Sequence, residues 1–203
     1  MSARDEVLGR IRRALADVPR DERPEDVEVT REYRHRGDAG DVLDRFADAV
    51  RDYRADVRTV APSAVGQAVA DACAGRRVVV PEALPPEWRP EGALVDDGRP
   101  GRDLDALDGA VTGCAVAIAQ TGTIVLDGAG SCGRRALTLV PDHHVCVVEA
   151  DQVVDLVPEA LARMEDPTRP ITFISGPSAS SDIELQRVEG VHGPRHLVVI
   201  LVR

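Results

Sequence analysis

Short apolar runs alternate with amphipathic helical segments from residue 41 to the end of the chain. Leu43, Phe46 and Val50 fall on one face of a predicted helix, and the apolar run at residues 77–80 is typical of a strand buried on both faces. Alternation of strands and helices favours a sheet covered by helices. The sequence therefore predicts one α/β domain over residues 41–203.

The later runs add a hairpin to this pattern. Gln120, Thr121 and Gly122 separate two apolar runs at residues 111–119 and 123–127, and a short polar break of this kind predicts an antiparallel pair. The expected sheet is therefore mixed. Further strands are predicted at residues 57–61, 137–140, 144–149, 171–175 and 196–202, and further helices at residues 63–74, at residues 151–164 and from Ser181.

The first forty residues have a different character. Ser2 and Asp5 can form a capping box at the start of a helix whose apolar stripe includes Val7, Ile11 and Leu15. Charged residues then dominate up to residue 41, and prolines and glycines interrupt any periodicity, so few apolar groups offset the entropy of ordering. We predict an N-terminal helix and a flexible charged linker at residues 1–40.

Composition excludes several classes of function. Thirty-five acidic residues oppose twenty-five basic ones, and the formal charge of −10 disfavours nucleic acid as a partner. Every basic residue is an arginine, which excludes a Schiff-base lysine and a Walker lysine. No apolar run approaches the roughly 20 residues of a membrane span, and no signal sequence opens the chain, so we expect a cytoplasmic protein.

The four cysteines carry no metal signature. Cys73, Cys114, Cys132 and Cys146 are far apart, with no Cys-x-x-Cys and no histidine at metal-ligand spacing. We predict no metal site and no cofactor bound by a recognisable motif. Cys132, between a serine and a glycine, is a candidate reactive thiol only if a positive partner lies beside it.

Residues 128–133 match the Gly-x-Gly-x-x-Gly pattern of dinucleotide-binding sites, and Glu149 lies about where a ribose-binding acid is expected. The context argues against such a site. Only a few β-prone residues separate this loop from Pro141, which leaves no room for the helix whose N-terminus binds pyrophosphate. We interpret the segment as a flexible glycine loop in which Arg134 can still meet an anion.

Residues 175–184 read Ser-Gly-Pro-Ser-Ala-Ser-Ser-Asp-Ile-Glu, which predicts a strand end, a tight turn and a helix start at the carboxyl edge of a sheet. Ligands commonly bind at such edges. Ser181 and Glu184 also match a capping box, which needs no ligand. Asp182 and Glu184 are nevertheless candidates for acid–base or ligand-orienting groups.

Residues 190–195 read Gly-Val-His-Gly-Pro-Arg and hold a histidine between glycines and a proline. His192 can shuttle a proton near neutral pH and Arg195 can bind a carboxylate, although a loop histidine is also compatible with simple solvation. His143 and His144 lack helical metal-ligand spacing. We assign both to a strand start or the surface and leave them out of the site.

Four segments together resemble the lactate-utilization protein C family: residues 120–126, 137–144, 176–184 and 190–194. The resemblance implies a LUD domain with the three-layer α/β/α architecture of the NagB/RpiA/CoA-transferase-like superfamily. It also implies a role in the oxidation of L-lactate to pyruvate beside iron–sulfur partner proteins, with the clusters held by those partners. Gln120 cannot form the acyl anhydride that a CoA-transferase glutamate makes, which argues against a transferase mechanism at that position.

Our leading hypothesis is a component of L-lactate oxidation whose turns at Thr121, Ser178 and His192 meet at one edge of the sheet and bind a small anionic metabolite. The alternatives are a stand-alone isomerase or transferase acting on a sugar phosphate or thioester, and a non-catalytic scaffold that docks partners through its N-terminal helix and residues 85–101. The sequence is compatible with a homo-oligomer. The catalytic candidates are Asp182, Glu184 and His192, and the substrate-binding candidates are Thr121, Gly122, Thr123, Arg134, Gly176, Ser178, Ser181 and Arg195.

Overall fold

The computed structural model describes residues 2–19, 21, 23, 26, 28–30, 32–37, 40–166, 168–177, 179–180, 188–189 and 193–203. The chain forms two compact units, Met1–Tyr33 and Arg34–Arg203. Among the described residues, no helix is long and apolar enough to cross a membrane.

The first unit contains helix α1, Ala3–Ala14. Its N-terminus carries the predicted capping box, because the Asp5 backbone N–H donates to Ser2 Oγ at 3.2 Å and the Ser2 N–H donates to Asp5 Oδ2 at 3.0 Å. No residue of the helix is buried. Val7 and Ile11 are 56% and 48% exposed, so this helix keeps its apolar stripe at the surface of the unit.

The second unit contains four helices and twelve strands among its described residues. The helices are α2 Val42–Asp52, α3 Val65–Ala72, α4 Gly101–Leu104 and α5 Val157–Ala162. The strands are β1 Asp56–Val60, β2 Val78–Val80, β3 Leu94–Val95, β4 Gly109–Thr112, β5 Val116–Ile118, β6 Thr123–Leu126, β7 His143–Glu149, β8 Val153–Val154, β9 Thr172–Ile174, β10 Ala179–Ser180, β11 Val188–Glu189 and β12 His196–Val202.

Six strands form the main sheet in the order β1-β12-β7-β4-β2-β3, and every neighbouring pair is parallel. The inner strands of this sheet are buried on both faces, and successive side chains enter the cores on opposite sides of the sheet. Cys146 and Val148 of β7 share a core cluster with Phe46 of α2, whereas Val145 of the same strand packs with Val69 of α3. The predicted α/β fold with a mainly parallel central sheet flanked by helices is confirmed.

The antiparallel pairing lies in a second sheet of four strands, ordered β8-β5-β6-β9. β5 and β6 form the predicted hairpin, and β9 pairs antiparallel with the other edge of β6. Residues 111–119 therefore do not form one strand: β4 ends in the main sheet at Thr112, and β5 begins in the second sheet at Val116. This change of sheet places the turn of the hairpin and the carboxyl end of β9 at the same end of the second sheet.

Two further predicted elements are wrong. Residues 137–140 are not a strand, because Arg135–Thr138 forms a 3₁₀ turn that buries Leu137 against Val79 and Leu104. Residues 151–164 are not one helix: Ala150–Gln152 is a 3₁₀ turn, and β8 pairs with β5 before the helix begins beside Pro158. In both places long-range packing overrides the local pattern.

The glycine loop is followed by a 3₁₀ turn and by no α-helix before β7, as the short distance to Pro141 predicts. The helix predicted from Ser181 lies outside the described residues. On either side of that segment, β10 and β11 pair antiparallel with each other.

Candidate functional site

A cavity of about 220 Å³ lies at the amino ends of two adjacent parallel strands of the main sheet, β7 and β12. The sequence predicts that the turn that follows Ser175 lies at the carboxyl edge of a sheet. Ser175 does follow the carboxyl end of β9, which belongs to the second sheet. The cavity that Ser175 lines, however, lies at the amino edge of the main sheet. The lining comes from four segments: Thr138–Leu139, Thr172–Pro177, Gly193–Pro194, and the strand residues His144 and Leu197.

A chain of hydroxyl groups connects the hairpin turn to this cavity. Thr121 Oγ1 is hydrogen-bonded to Thr123 Oγ1 at 2.7 Å, and Thr123 Oγ1 is hydrogen-bonded in turn to Ser175 Oγ at 2.8 Å. Thr123 is 5% exposed, and Ser175 lines the cavity. The hairpin turn is therefore in direct contact with Ser175, the residue before the predicted 176–184 turn.

The carboxyl end of α2 holds both of these turns. Gly122 has a φ of +56°, and a Cβ there would lie 2.8–2.9 Å from backbone atoms of Ala49 and Val50. Gly176 has a φ of +82°, and a Cβ there would lie 2.4 Å from the Cβ of Tyr53. Only glycine combines a left-handed φ with such close approach. Both glycines therefore position turns, whatever further contact they make with a ligand.

His144 is 1% exposed and lies in the wall of the cavity. Its Nε2 is hydrogen-bonded to Thr112 Oγ1 at 2.8 Å. Burial lowers the pKa of His144 to about 4. The ring is therefore neutral at physiological pH and can either donate or accept a hydrogen bond.

His143 occupies the opposite face of the same strand and is 5% exposed. Its Nε2–H donates to the Ala72 carbonyl at 3.0 Å. The sequence predicts a strand start or a surface position for His143 and His144; the strand start is confirmed, but neither ring is on the surface. Two successive histidines before an apolar run gave no sign of burial, since it depends on the pairing of β7 with β4 and β12.

The two predicted anion-binding arginines already form ion pairs. Arg134 binds Asp96 through two hydrogen bonds, Nε to Oδ2 at 2.7 Å and Nη2 to Oδ1 at 2.9 Å, and it lies outside the lining of the cavity. Arg195 binds Asp142 in the same forked way, at 2.8 Å and 2.6 Å. These hydrogen bonds lower the pKa of Asp96 and of Asp142. Both guanidinium groups thus fix loops in place.

The remaining predicted site residues, Ser178, Ser181, Asp182, Glu184 and His192, lie outside the described residues. Their roles stay predictions. The structure does describe the residues that flank them, and Pro177 and Gly193 both line the cavity.

The cysteine thiols are buried. All four cysteines are free and buried. Burial raises the pKa of Cys73 to about 11 and that of Cys132 to about 12, which disfavours a reactive thiolate at either position. Across the described ranges, no three histidine, cysteine or acidic side chains are grouped closely enough to hold a metal ion.

Thr123→Val should lower the free energy of unfolding by about 1–2 kcal/mol, because valine keeps the shape of threonine but removes the hydroxyl at the centre of the chain. Urea denaturation measures the loss. Thr59→Val is the matched control, since Thr59 is exposed in β1 and its hydroxyl has no hydrogen-bond partner among the described residues. Equal losses in the two variants would mean that the hydroxyl chain does not stabilise the turns.

The chain is an α/β protein with a parallel main sheet, a second sheet and two glycine turns packed on α2. The LUD domain family matches residues 90–202, and the chain belongs to this family. It is 47% identical over 172 residues to Lactate utilization protein C of Deinococcus radiodurans, an alignment that covers 80% of each chain. It is 33% identical to Lactate utilization protein C of Geobacillus kaustophilus over 57% of this chain and 53% of that protein.

A comparison with solved structures supports the same family assignment. The crystal structure of a DUF162 family protein from Deinococcus radiodurans superposes with a TM-score of 0.69 at 38% sequence identity, covering 80% of this chain and 96% of that one. The family resemblance identified in the sequence is confirmed.

Proposed function

We propose that this protein is a lactate-utilization component that supports the oxidation of L-lactate to pyruvate together with iron–sulfur partner proteins. The observation that carries the proposal is the 47% identity, over 80% of both chains, to a protein named for lactate utilization. The partners follow from the family resemblance and hold the clusters. This chain contributes a binding site for a small anionic metabolite.

The chemistry of the cavity supports this proposal. Its volume of about 220 Å³ lies below the range of roughly 300–1,000 Å³ typical of sites for larger ligands, which favours a metabolite of a few carbon atoms. The described part of the lining offers the Ser175 and Thr138 hydroxyls and the neutral His144 ring, all able to hydrogen-bond to a hydroxyl or carboxylate group. We assign proton transfer to His192 and ligand orientation to Asp182 and Glu184.

Deleting the gene should abolish growth on L-lactate while leaving growth on pyruvate intact, because only the oxidation step is lost. Expression of the wild-type chain should restore growth on L-lactate, and the His192→Ala and Glu184→Gln variants should not. Glu87→Gln, a charge change outside the lining of the cavity, is the control and should restore growth. Unimpaired growth of the deletion strain on L-lactate, with no paralogue present, would refute the proposal.

A further inference from the structure

A second cavity, of about 290 Å³, lies beside the amino ends of β1, β7 and β12. It shares only Pro177 and Leu197 with the lining of the first cavity. Its lining includes four arginines and two histidines against two aspartates. Such an excess of positive charge is notable in a chain of formal charge −10, because it attracts anions locally against the field of the whole protein.

Two of the four arginines are neutralised by neighbours. Arg58 binds Asp56 at 2.9 Å, and Arg195 binds Asp142. The second aspartate of the lining, Asp71, accepts a hydrogen bond from Gln67 Nε2 at 2.7 Å. This hydrogen bond leaves the Asp71 carboxylate charged, so the positive charge available to a ligand is that of the other two arginines, offset in part by Asp71.

Those two arginines have no ion-pair partner in the part of the chain that the structure describes. Among the described residues, the Arg76 side chain makes only two hydrogen bonds, both long, from Nη1 to the Ala72 and Ala74 carbonyls at 3.4 Å. Arg54 forms no side-chain hydrogen bond with any described residue. Two guanidinium groups from separate elements, one after α2 and one after α3, thus border one cavity with their hydrogen-bonding capacity largely unused.

The backbone at Arg54 is unusual as well. Its φ is +67°, and it is the single non-glycine residue with a positive φ among the described residues. This position follows the last turn of α2, where glycine is favoured because it adopts a left-handed φ without strain. A strained arginine at a site suited to glycine indicates that its side chain has a function.

His143 adds a group that responds to charge in the same cavity. Its Nδ1 is buried without a hydrogen-bond partner among the described residues. Burial lowers the pKa of His143, and the positive charges of Arg76 and His196 lower it further, whereas Asp142 raises it. An anion beside Arg76 would offset the repulsion from that arginine and favour proton uptake by His143.

We propose that this second cavity binds the phosphate group of a small phosphorylated metabolite, with Arg54 and Arg76 as its guanidinium contacts. Forked guanidinium donors match phosphate oxygens. Two unpaired guanidinium groups beside a titratable imidazole suit a dianion whose second pKa is near 6, as for a phosphate monoester. A monocarboxylate such as lactate would leave one of the two guanidinium groups unmatched.

Thermal denaturation of the full chain tests this site with inorganic phosphate and glycerol phosphate as probes, against chloride at matched ionic strength. Both probes should raise the Tm, because a ligand that binds the folded state stabilises it. Arg54→Gly and Arg76→Gln should each weaken the apparent affinity at least tenfold, whereas Arg51→Gln, an exposed arginine of α2 outside the lining, should bind like wild type. Arg54→Gly should keep or raise the Tm without ligand, since glycine relieves the strain.

Nuclear magnetic resonance of the His143 imidazole gives a second readout. Phosphate should raise the pKa of His143 in the wild-type chain and should leave it unchanged in Arg76→Gln. The proposal is overturned if phosphate stabilises the protein no more than chloride does, if Arg54→Gly responds to phosphate like wild type, or if L-lactate binds this cavity more tightly than phosphate. The first two outcomes do not bear on the lactate-utilization proposal, which concerns the first cavity, whereas the third would place the anionic metabolite of that proposal in the second cavity instead.

Discussion

Gly122→Ala should lower the free energy of unfolding by about 2–5 kcal/mol, a large share of the stability of a domain this size. Two costs add. A left-handed φ of +56° disfavours any residue with a Cβ, by about 1–2 kcal/mol. The new methyl group would also approach the backbone of Ala49 and Val50 to within 2.8–2.9 Å, and overpacking of this kind costs about 1–3 kcal/mol because helix backbone cannot move aside.

Gly92→Ala separates the two costs. Gly92 has a φ of +75°, and no heavy atom lies within 4 Å of the position that a methyl group would take, so its substitution carries the backbone strain alone. Urea denaturation of both variants gives the difference directly. If Gly122→Ala lost no more stability than Gly92→Ala, then α2 would not hold the hairpin turn.

The same substitution should also disturb the cavity. Gly122 lies between Thr121 and Thr123, whose hydroxyls lead to Ser175 in the cavity wall. A turn displaced from α2 would break these hydrogen bonds, and no other contact would hold the hydroxyl groups in place. The glycine that fits the turn to the helix is therefore also a positioning residue of the candidate site.

The sequence predicts elements whose signals are local. Six of the seven residues of β12, at 197–202, form an apolar, largely β-branched run buried on both faces, and the observed bounds match the predicted ones. The α1 capping box is equally local, since both partners lie within four residues. The predictions that failed concern residues 137–140 and 151–164. The structure of both segments depends on contacts with strands and helices that are distant in sequence.

Residues of the candidate site also differ in whether a local signal in the sequence predicts them. Glycine motifs at Gly122 and Gly176 could be read from the sequence, because a left-handed φ leaves a residue signature. The partner of Arg134 could not, since Asp96 is 38 residues away and no periodicity connects the two. The burial of His144 likewise depends on Thr112, which lies 32 residues earlier on a neighbouring strand.

Acidification from pH 7 to pH 4 should cost the protein about 3 kcal/mol of stability through His144 alone. The folded state lowers the pKa of this histidine from its ordinary value of 6.5 to about 4. Below pH 6.5 the unfolded chain therefore binds a proton that the folded chain does not, so the free energy of unfolding falls until both states are protonated below about pH 4. Burial lowers the pKa of His143 too, which adds a loss in the same direction.

His144→Gln should flatten this profile, because glutamine does not titrate and its amide can still hydrogen-bond to Thr112 Oγ1. Urea denaturation at intervals from pH 7 to pH 4 measures the slope for each variant. Asp96 and Asp142 have lowered pKa values, so their stabilisation begins to fall below about pH 5, as the unfolded carboxyls with an ordinary pKa of roughly 3.9 take up protons, and this loss is common to wild type and His144→Gln. A His144→Gln variant that lost stability as steeply as wild type would show that the ring is protonated in the folded protein, and the neutral hydrogen-bonding role assigned to it in the cavity would then be wrong.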